Sequence, residues 1–322
     1  IIIGAGNGAS DDNSNYDGWA NSIHTIAVGA VQHLGLSAAY SEPGSNILTA
    51  GLAAEGDLPN GQLVSTDGPS DYILGNMQQT SYAAAGVAAV AALMLEARPN
   101  LGWRDMQEIL LAASLGGGPN GGWPSPVPGI EPVYTHVGGK LGFGLIDPAE
   151  AVRLAEIWSK LPAGADYTRR FRTVIKREEI NRPIVTPHIF EFDFSFFEDV
   201  RVEHVTLRLK WAEEGPDSPG PLPLDMILES SEAGLGGTPL WPVDAIYADI
   251  MSDAGTGVAI AEEWTFSSVA FWGRPRIGGG DGIWRVYMGD REDGPGRIIE
   301  QIELTIYGTP LNLSLIHISE PT

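Results

Sequence analysis

The sequence predicts two architectures in tandem: an α/β layer domain, followed by an all-β jelly-roll sandwich. Short apolar runs alternate with helical patterns in the first half of the chain. Apolar and polar residues alternate with period two in the second half, the mark of antiparallel strands with one wet face. A basic stretch in an otherwise acidic chain separates the halves. The expected boundaries are 1–160 for the first domain, 161–182 for the connection, 183–310 for the second domain, and 311–322 for a tail outside either fold.

In chain order, Ile1-Ile2-Ile3 reads as a short buried strand entering a tight turn at Gly4-Ala5-Gly6, and residues 25–30 read as a second strand. Residues 81–96 are apolar on nearly every face, which predicts a helix in the middle of a domain. A second helix over residues 103–113 sets Trp103, Met106, Ile109 and Leu110 on one face. A third starts at Asp147, with Pro148 at its first position and Glu150 placed to complete a capping box. Elements alternating in this way stack as α/β layers. Residues 116–139, rich in Gly and Pro, read as a surface excursion.

Lys160, Arg169, Arg170, Arg172, Lys176 and Arg177 make the basic connection, read as a solvated linker. Beyond it Val205, Leu207, Leu209 and Trp211 alternate with Thr206, Arg208 and Lys210, and Ile302, Leu304 and Ile306 alternate with Glu303 and Thr305. Trp284, Val286 and Met288 continue the signal. Two such sheets predict a jelly-roll sandwich.

Composition excludes several functions. There are 41 Asp and Glu against 19 Lys and Arg, a net charge of -22, and a field of that sign repels phosphate backbones and anionic lipid. Nucleic acid is therefore not an expected partner. With no cysteine there is no disulfide framework, thiolate nucleophile or Cys-ligated zinc. No apolar run approaches the roughly 20 residues of a membrane span. The chain opens at Ile1, inside the first strand pattern, and reads as a fragment; residues 313–322 resemble translated adapter sequence and are left out of the fold.

Two places carry chemistry. Ser81, in Gln79-Thr80-Ser81, stands at the head of the apolar helix, where backbone N–H groups and the dipole suit both a nucleophile and an oxyanion. Taken alone, a serine there reads as an ordinary N-cap. Asn7, in Gly4-Ala5-Gly6-Asn7-Gly8, presents an amide in a glycine-rich turn that lets a substrate approach. It reads either as an oxyanion donor or as an asparagine tolerated in a left-handed turn.

At these residues the chain resembles the subtilisin superfamily, and more closely its kexin/furin branch. Residues 6–8 leading into Asp12-Asn13-Ser14-Asn15-Tyr16-Asp17-Gly18-Trp19, the Tyr40-Ser41-Glu42 turn, residues 80–107, and Gly142-Phe143-Gly144-Leu145-Ile146-Asp147 carry the match. Val202-Glu203-His204-Val205, residues 264–269, Trp272-Gly273, Gly282-Ile283-Trp284 and Tyr307-Gly308-Thr309 look like the P (homo-B) domain that follows such catalytic domains. The resemblance implies the C-terminal half of a subtilisin-like parallel-sheet domain joined to a P domain.

The resemblance also implies roles. Ser81 matches the nucleophile and Asn7 the oxyanion donor; Asp17 matches an acid in the pocket for the side chain before the scissile bond, favouring Arg or Lys. Asp12 and Glu42 match two carboxylates of a structural Ca2+ site, which needs further oxygen ligands. The implied activity is a calcium-dependent serine endopeptidase acting on protein or peptide substrates with basic residues, in a secreted or periplasmic setting. Family triads run Asp, His, Ser, so the Asp and His are expected upstream of Ile1 and the fragment alone is expected to be inactive. His24 and His33 precede Ser81 but do not sit in a glycine-rich helix start. Two residues depart from the pattern: Gln79 replaces the usual glycine, and Ala85 the usual proline. They keep open the alternative of a non-catalytic pseudoprotease whose β-sandwich serves adhesion or folding.

Overall fold

The computed structural model describes residues 1–54, 63–67, 71–75, 77–115, 139–158, 172–183, 188–194, 200–212, 224–231, 245–251, 263–272, 283–290 and 298–310. Residues 116–138 of the expected excursion at 116–139, residues 161–171 of the expected connection and the tail 311–322 lie outside the described residues. The chain divides after Lys160 into two compact units.

In the first unit β1 (Ile2–Gly4), β2 (Ile26–Val31), β3 (Ile47–Leu52), β6 (Ser114–Leu115) and β7 (Leu145–Ile146) form a sheet in the order β1-β2-β3-β7-β6. β1, β2, β3 and β7 run parallel, and β6 is antiparallel to β7. This is the α/β layer with a parallel sheet that the sequence predicts. β2 is buried along its whole length, and β3 is buried except at Leu52, as parallel strands covered on both faces require. A hairpin of β4 (Leu63–Asp67) and β5 (Asp71–Gly75) stands between β3 and the first helix.

That helix, α1 (Thr80–Ala97), packs on β1, β2 and β3. Its burial corrects the expectation of a helix enclosed on every side. Thr80, Ala83, Ala84, Val87, Val90, Ala91 and Met94 form one buried stripe, while Tyr82, Leu93 and Leu95 are exposed. Buried Ala83, Ala84 and Ala91 are chemically the same as exposed Ala85, Ala88, Ala89 and Ala92, so the sequence carries no amphipathic contrast and the sheet selects the stripe. The approach is close. A Cβ on Gly51 of β3 would collide with the Ala83 carbonyl, and one on Gly4 of β1 would come within 2.6 Å of Thr80 Oγ1.

α2 (Trp103–Ala112) buries Met106, Ile109 and Leu110 as expected, while Trp103 is half-exposed. Its start is tied down by buried Asp105, which accepts from the Gly102 N–H (2.8 Å) and from Trp158 Nε1 (3.0 Å). α3 (Pro148–Ile157) begins as predicted: Asp147 Oδ1 accepts from the N–H groups of Ala149 (2.9 Å) and Glu150 (3.1 Å). Glu150 pairs with Arg153, at 2.7 Å from Nε, instead of closing the expected box.

The second unit is antiparallel throughout its described strands. β8 (Arg172–Pro183), β10 (Val200–Ala212), β13 (Glu263–Ser268) and β15 (Ile298–Pro310) form one sheet in the order β13-β10-β15-β8. β9 (His188–Asp193), β11 (Leu224–Ser231), β12 (Ala245–Met251) and β14 (Ile283–Asp290) form another, in the order β12-β11-β14-β9. Residues 172–182, placed in the linker by the sequence, are therefore the greater part of an edge strand. On its solvent face Arg177 pairs with Glu303 across the sheet, beside Arg208 with Glu263. On the opposite face Val205, Leu207, Leu209, Ile302, Leu304 and Ile306 are buried. Glu203 is the additional residue of a bulge between Val202 and His204 and accepts from Thr309 Oγ1 (2.8 Å), while His204 meets Trp272 edge-on with ring centroids 5.0 Å apart.

Substituting Gly51→Ala pushes a methyl into the α1 backbone, which has no flexible end to move aside. Urea unfolding followed by circular dichroism is expected to show a loss of about 1–3 kcal/mol.

Candidate active site

The site is assembled where β1 ends and α1 begins. Parallel pairing of β1 with β2 delivers Gly4-Ala5-Gly6-Asn7-Gly8 to the head of α1. There Asn7 Oδ1 accepts from the Thr80 backbone N–H (2.8 Å) and lies 3.3 Å from Thr80 Oγ1, which itself accepts from the Gly6 N–H (3.2 Å). The first N–H groups of a helix have no partner within it. Asn7 takes that of Thr80, and the Gln79 carbonyl takes that of Tyr82 (3.1 Å). The Ser81 N–H is the donor left between them. Ser81 is exposed, and so is Asn7, whose oxygen is engaged and whose amide nitrogen is its remaining donor.

The structure thus brings Ser81 and Asn7 together through Thr80. It replaces the N-cap reading of Ser81: the cap position belongs to Gln79, and Ser81 lies inside the first turn. Gln79 makes no side-chain cap bond and has φ 141, a backbone angle that side chains rarely adopt.

Glu42 grips the turn from its other side. Its buried carboxylate accepts from the Gly8 N–H (2.7 Å) and from the Asn7 N–H, and its own N–H donates to the Gly6 carbonyl (3.3 Å). Gly6, at φ 111, leaves room that a Cβ would fill with the Glu42 carboxylate. Burial raises the Glu42 carboxyl to about 6; the neighbouring charges of Asp12 and Asp17 push the same way, and the Gly8 and Asn7 N–H groups oppose. Asp12 is half-buried and accepts from the Asn13 N–H (2.8 Å); Asp17 is exposed and accepts from the Trp19 N–H (2.8 Å). A cation would relieve this like-charge group. Among the described residues, no three His, Cys, Asp or Glu side chains gather as a metal cage. The acids therefore fit a calcium ion only together with other oxygen ligands.

Buried amides and hydroxyls hold the loop carrying Asp12 and Asp17. Asn46 Nδ2 donates to Ser14 Oγ (3.0 Å) and the Ala20 carbonyl (3.0 Å), Asn21 Nδ2 to the Asn15 carbonyl (2.9 Å), and Gln107 Nε2 to the Thr25 carbonyl (3.0 Å). Thr80, Asn46 and Gln107 were not singled out by sequence. Thr80 adjoins the serine, but Asn46 and Gln107 give no local sign of their reach. His24 is exposed and stacks edge-on against Trp103 at 4.9 Å, and His33 is exposed in the turn after β2.

Residues 1–144 match a family model described as the subtilase family. Kexin of Saccharomyces cerevisiae is 29% identical over 320 residues, covering 97% of this chain and 36% of that protein. Proprotein convertase subtilisin/kexin type 7 of Mus musculus is 30% identical over 324 residues, covering 96% of this chain and 38% of that one. The chain thus spans under two-fifths of these curated relatives. Among solved structures, a serine protease of Aeromonas sobria matches with a TM-score of 0.67 at 18% identity, over 95% of this chain and 64% of the other. At that identity the likeness is one of fold.

Because folding raises the Glu42 pKa from 4.5 to about 6, the folded state holds this proton more tightly than the unfolded one. Its contribution is most favourable below pH 4.5, falls as pH rises to about 6, and is constant above, a change of at most about 2 kcal/mol. In the absence of divalent cations, urea stability of the wild type relative to Glu42→Gln is expected to fall across that window.

Proposed function

The chain is a kexin-like member of the subtilase family, and on that premise we propose that it carries the nucleophile and oxyanion site of a serine endopeptidase. One observation carries the reading: the Asn7 side-chain oxygen holds the Thr80 N–H, which fixes the Asn7 amide beside Ser81. In the proposed reaction Ser81 Oγ attacks a peptide carbonyl. As the carbonyl oxygen gains charge it is met by the Asn7 amide and the Ser81 N–H, both fixed before the reaction starts. The positive end of α1 adds to the same field. Because the donors are oriented by Thr80 and Glu42 instead of by substrate, little reorganisation accompanies charge development.

The hydroxyl needs a base. His24 is stacked on Trp103, so the base and its carboxylate partner are proposed to come from the part of the family fold that this chain does not span. Asp17 supports a preference for Arg or Lys before the scissile bond. Asp12 and Glu42 are proposed as partial ligands of a structural calcium ion, whose charge would offset the carboxylate repulsion. The two antiparallel sheets of the second unit are read as a jelly-roll P domain, and the setting as secreted or periplasmic.

In the intact protease, Ser81→Ala is expected to abolish cleavage of a dibasic peptide, and persistent cleavage by that variant would overturn the nucleophile assignment. Asn7→Ala is expected to lower kcat by roughly 10²–10³, a magnitude taken from an oxyanion asparagine in a subtilisin and not from this geometry. Asp17→Asn should reduce kcat/KM for Arg and Lys substrates more than for aliphatic ones in a library profile.

Chelator added to the calcium-loaded protein is expected to lower its thermal midpoint, because an ion bound to the native state alone stabilises it. Scanning calorimetry with Asp12→Asn and Glu42→Gln as controls checks this, and a midpoint indifferent to chelator would reject the calcium site.

A further inference from the structure

We propose that the Gln79 carboxamide is a substrate-contacting group that holds the peptide backbone at this site; this rests on the reading of Ser81 as nucleophile. Gln79 stands two residues before Ser81, at φ 141 and ψ 147. Of the described residues only Ala9 shares a positive φ without being glycine. The path is imposed from both sides. Asn7 fixes the following N–H, and the Gln79 carbonyl accepts from Tyr82, so the backbone cannot relax without unmaking the head of α1. A glycine would follow this path without strain.

Nothing in the described fold offsets the side chain's presence. It forms no capping bond, although it occupies the N-cap, and it is exposed instead of packed. Strain of this kind persists where a site uses it. Two residues of chain span at most about 7 Å, so the exposed Gln79 side chain leaves the backbone within that distance of Ser81. A primary amide donates and accepts at once. It therefore complements the N–H and C=O of a peptide bond flanking the scissile one, more than it complements a charged or aliphatic side chain.

The test compares wild type, Gln79→Ala and Gln79→Gly in the intact protease, on peptides varied in length and in the residues flanking the cleavage point, with thermal midpoints measured alongside. Gln79→Ala keeps the strained Cβ and removes the amide; Gln79→Gly removes both. Both are expected to lose roughly tenfold in kcat/KM, mainly through KM, the size of one hydrogen bond to substrate. Only Gln79→Gly should gain a few degrees in midpoint. Unchanged kcat/KM in Gln79→Ala, whether or not Gln79→Gly alters rate, overturns the inference and leaves Ser81 in place. A wild type that cleaves none of the peptides removes the nucleophile reading, and this inference with it.

Discussion

A single hydrogen bond organises the junction of β1 with the head of α1: Asn7 Oδ1 accepting from the Thr80 N–H at 2.8 Å. It joins residues 73 apart in sequence and satisfies one of the helix donors that would otherwise need solvent or ligand. It engages the acceptor half of the Asn7 carboxamide and leaves the donor half exposed. The parallel sheet makes the bond possible, since β1 must end beside the head of α1. Gly4 and Gly6 let the chain pass Thr80 and Glu42 without a Cβ between them.

The same turn bears an electrostatic cost. Glu42 holds the turn's backbone through the Gly8 and Asn7 N–H groups while buried near Asp12 and Asp17. Burial and like charge both disfavour its ionised form, so the residue that positions Asn7 also holds a proton more tightly than a free carboxylate does. The position of Asn7 and the charge state of Glu42 are thereby physically linked. Gln79 adds a third constraint, a strained backbone fixed on one side by the bond that Asn7 makes.

The second unit rests on a different principle. Its charged residues pair across strands on the wet face, as in Arg177 with Glu303 and Arg208 with Glu263, while alternate residues fill the core. Exposed pairs of this kind contribute little individually. Their alternation with buried residues is what holds the register, because a one-residue slip would turn every Leu and Ile outward.

Local signals were read correctly where one residue's chemistry decides the outcome. Asp147 caps α3, period-two runs became β10 and β15, and the glycines around Asn7 mark a close approach. Other features depend on partners far along the chain. Alanine-rich α1 has no intrinsic inside, so the sheet chose its buried stripe; basic residues 172–182 resembled a solvated linker until β15 paired with them. Asn46 and Gln107 reach carbonyls that no local pattern points to. The sequence by itself determined α2, α3 and the period-two strands β10 and β15, because propensity, capping and periodicity act over a few residues. Only the tertiary structure decided that Asn7 binds Thr80, that Ser81 is not a cap and that Glu42 is both holder and titrating group, because those outcomes are distances between residues that the chain itself keeps apart.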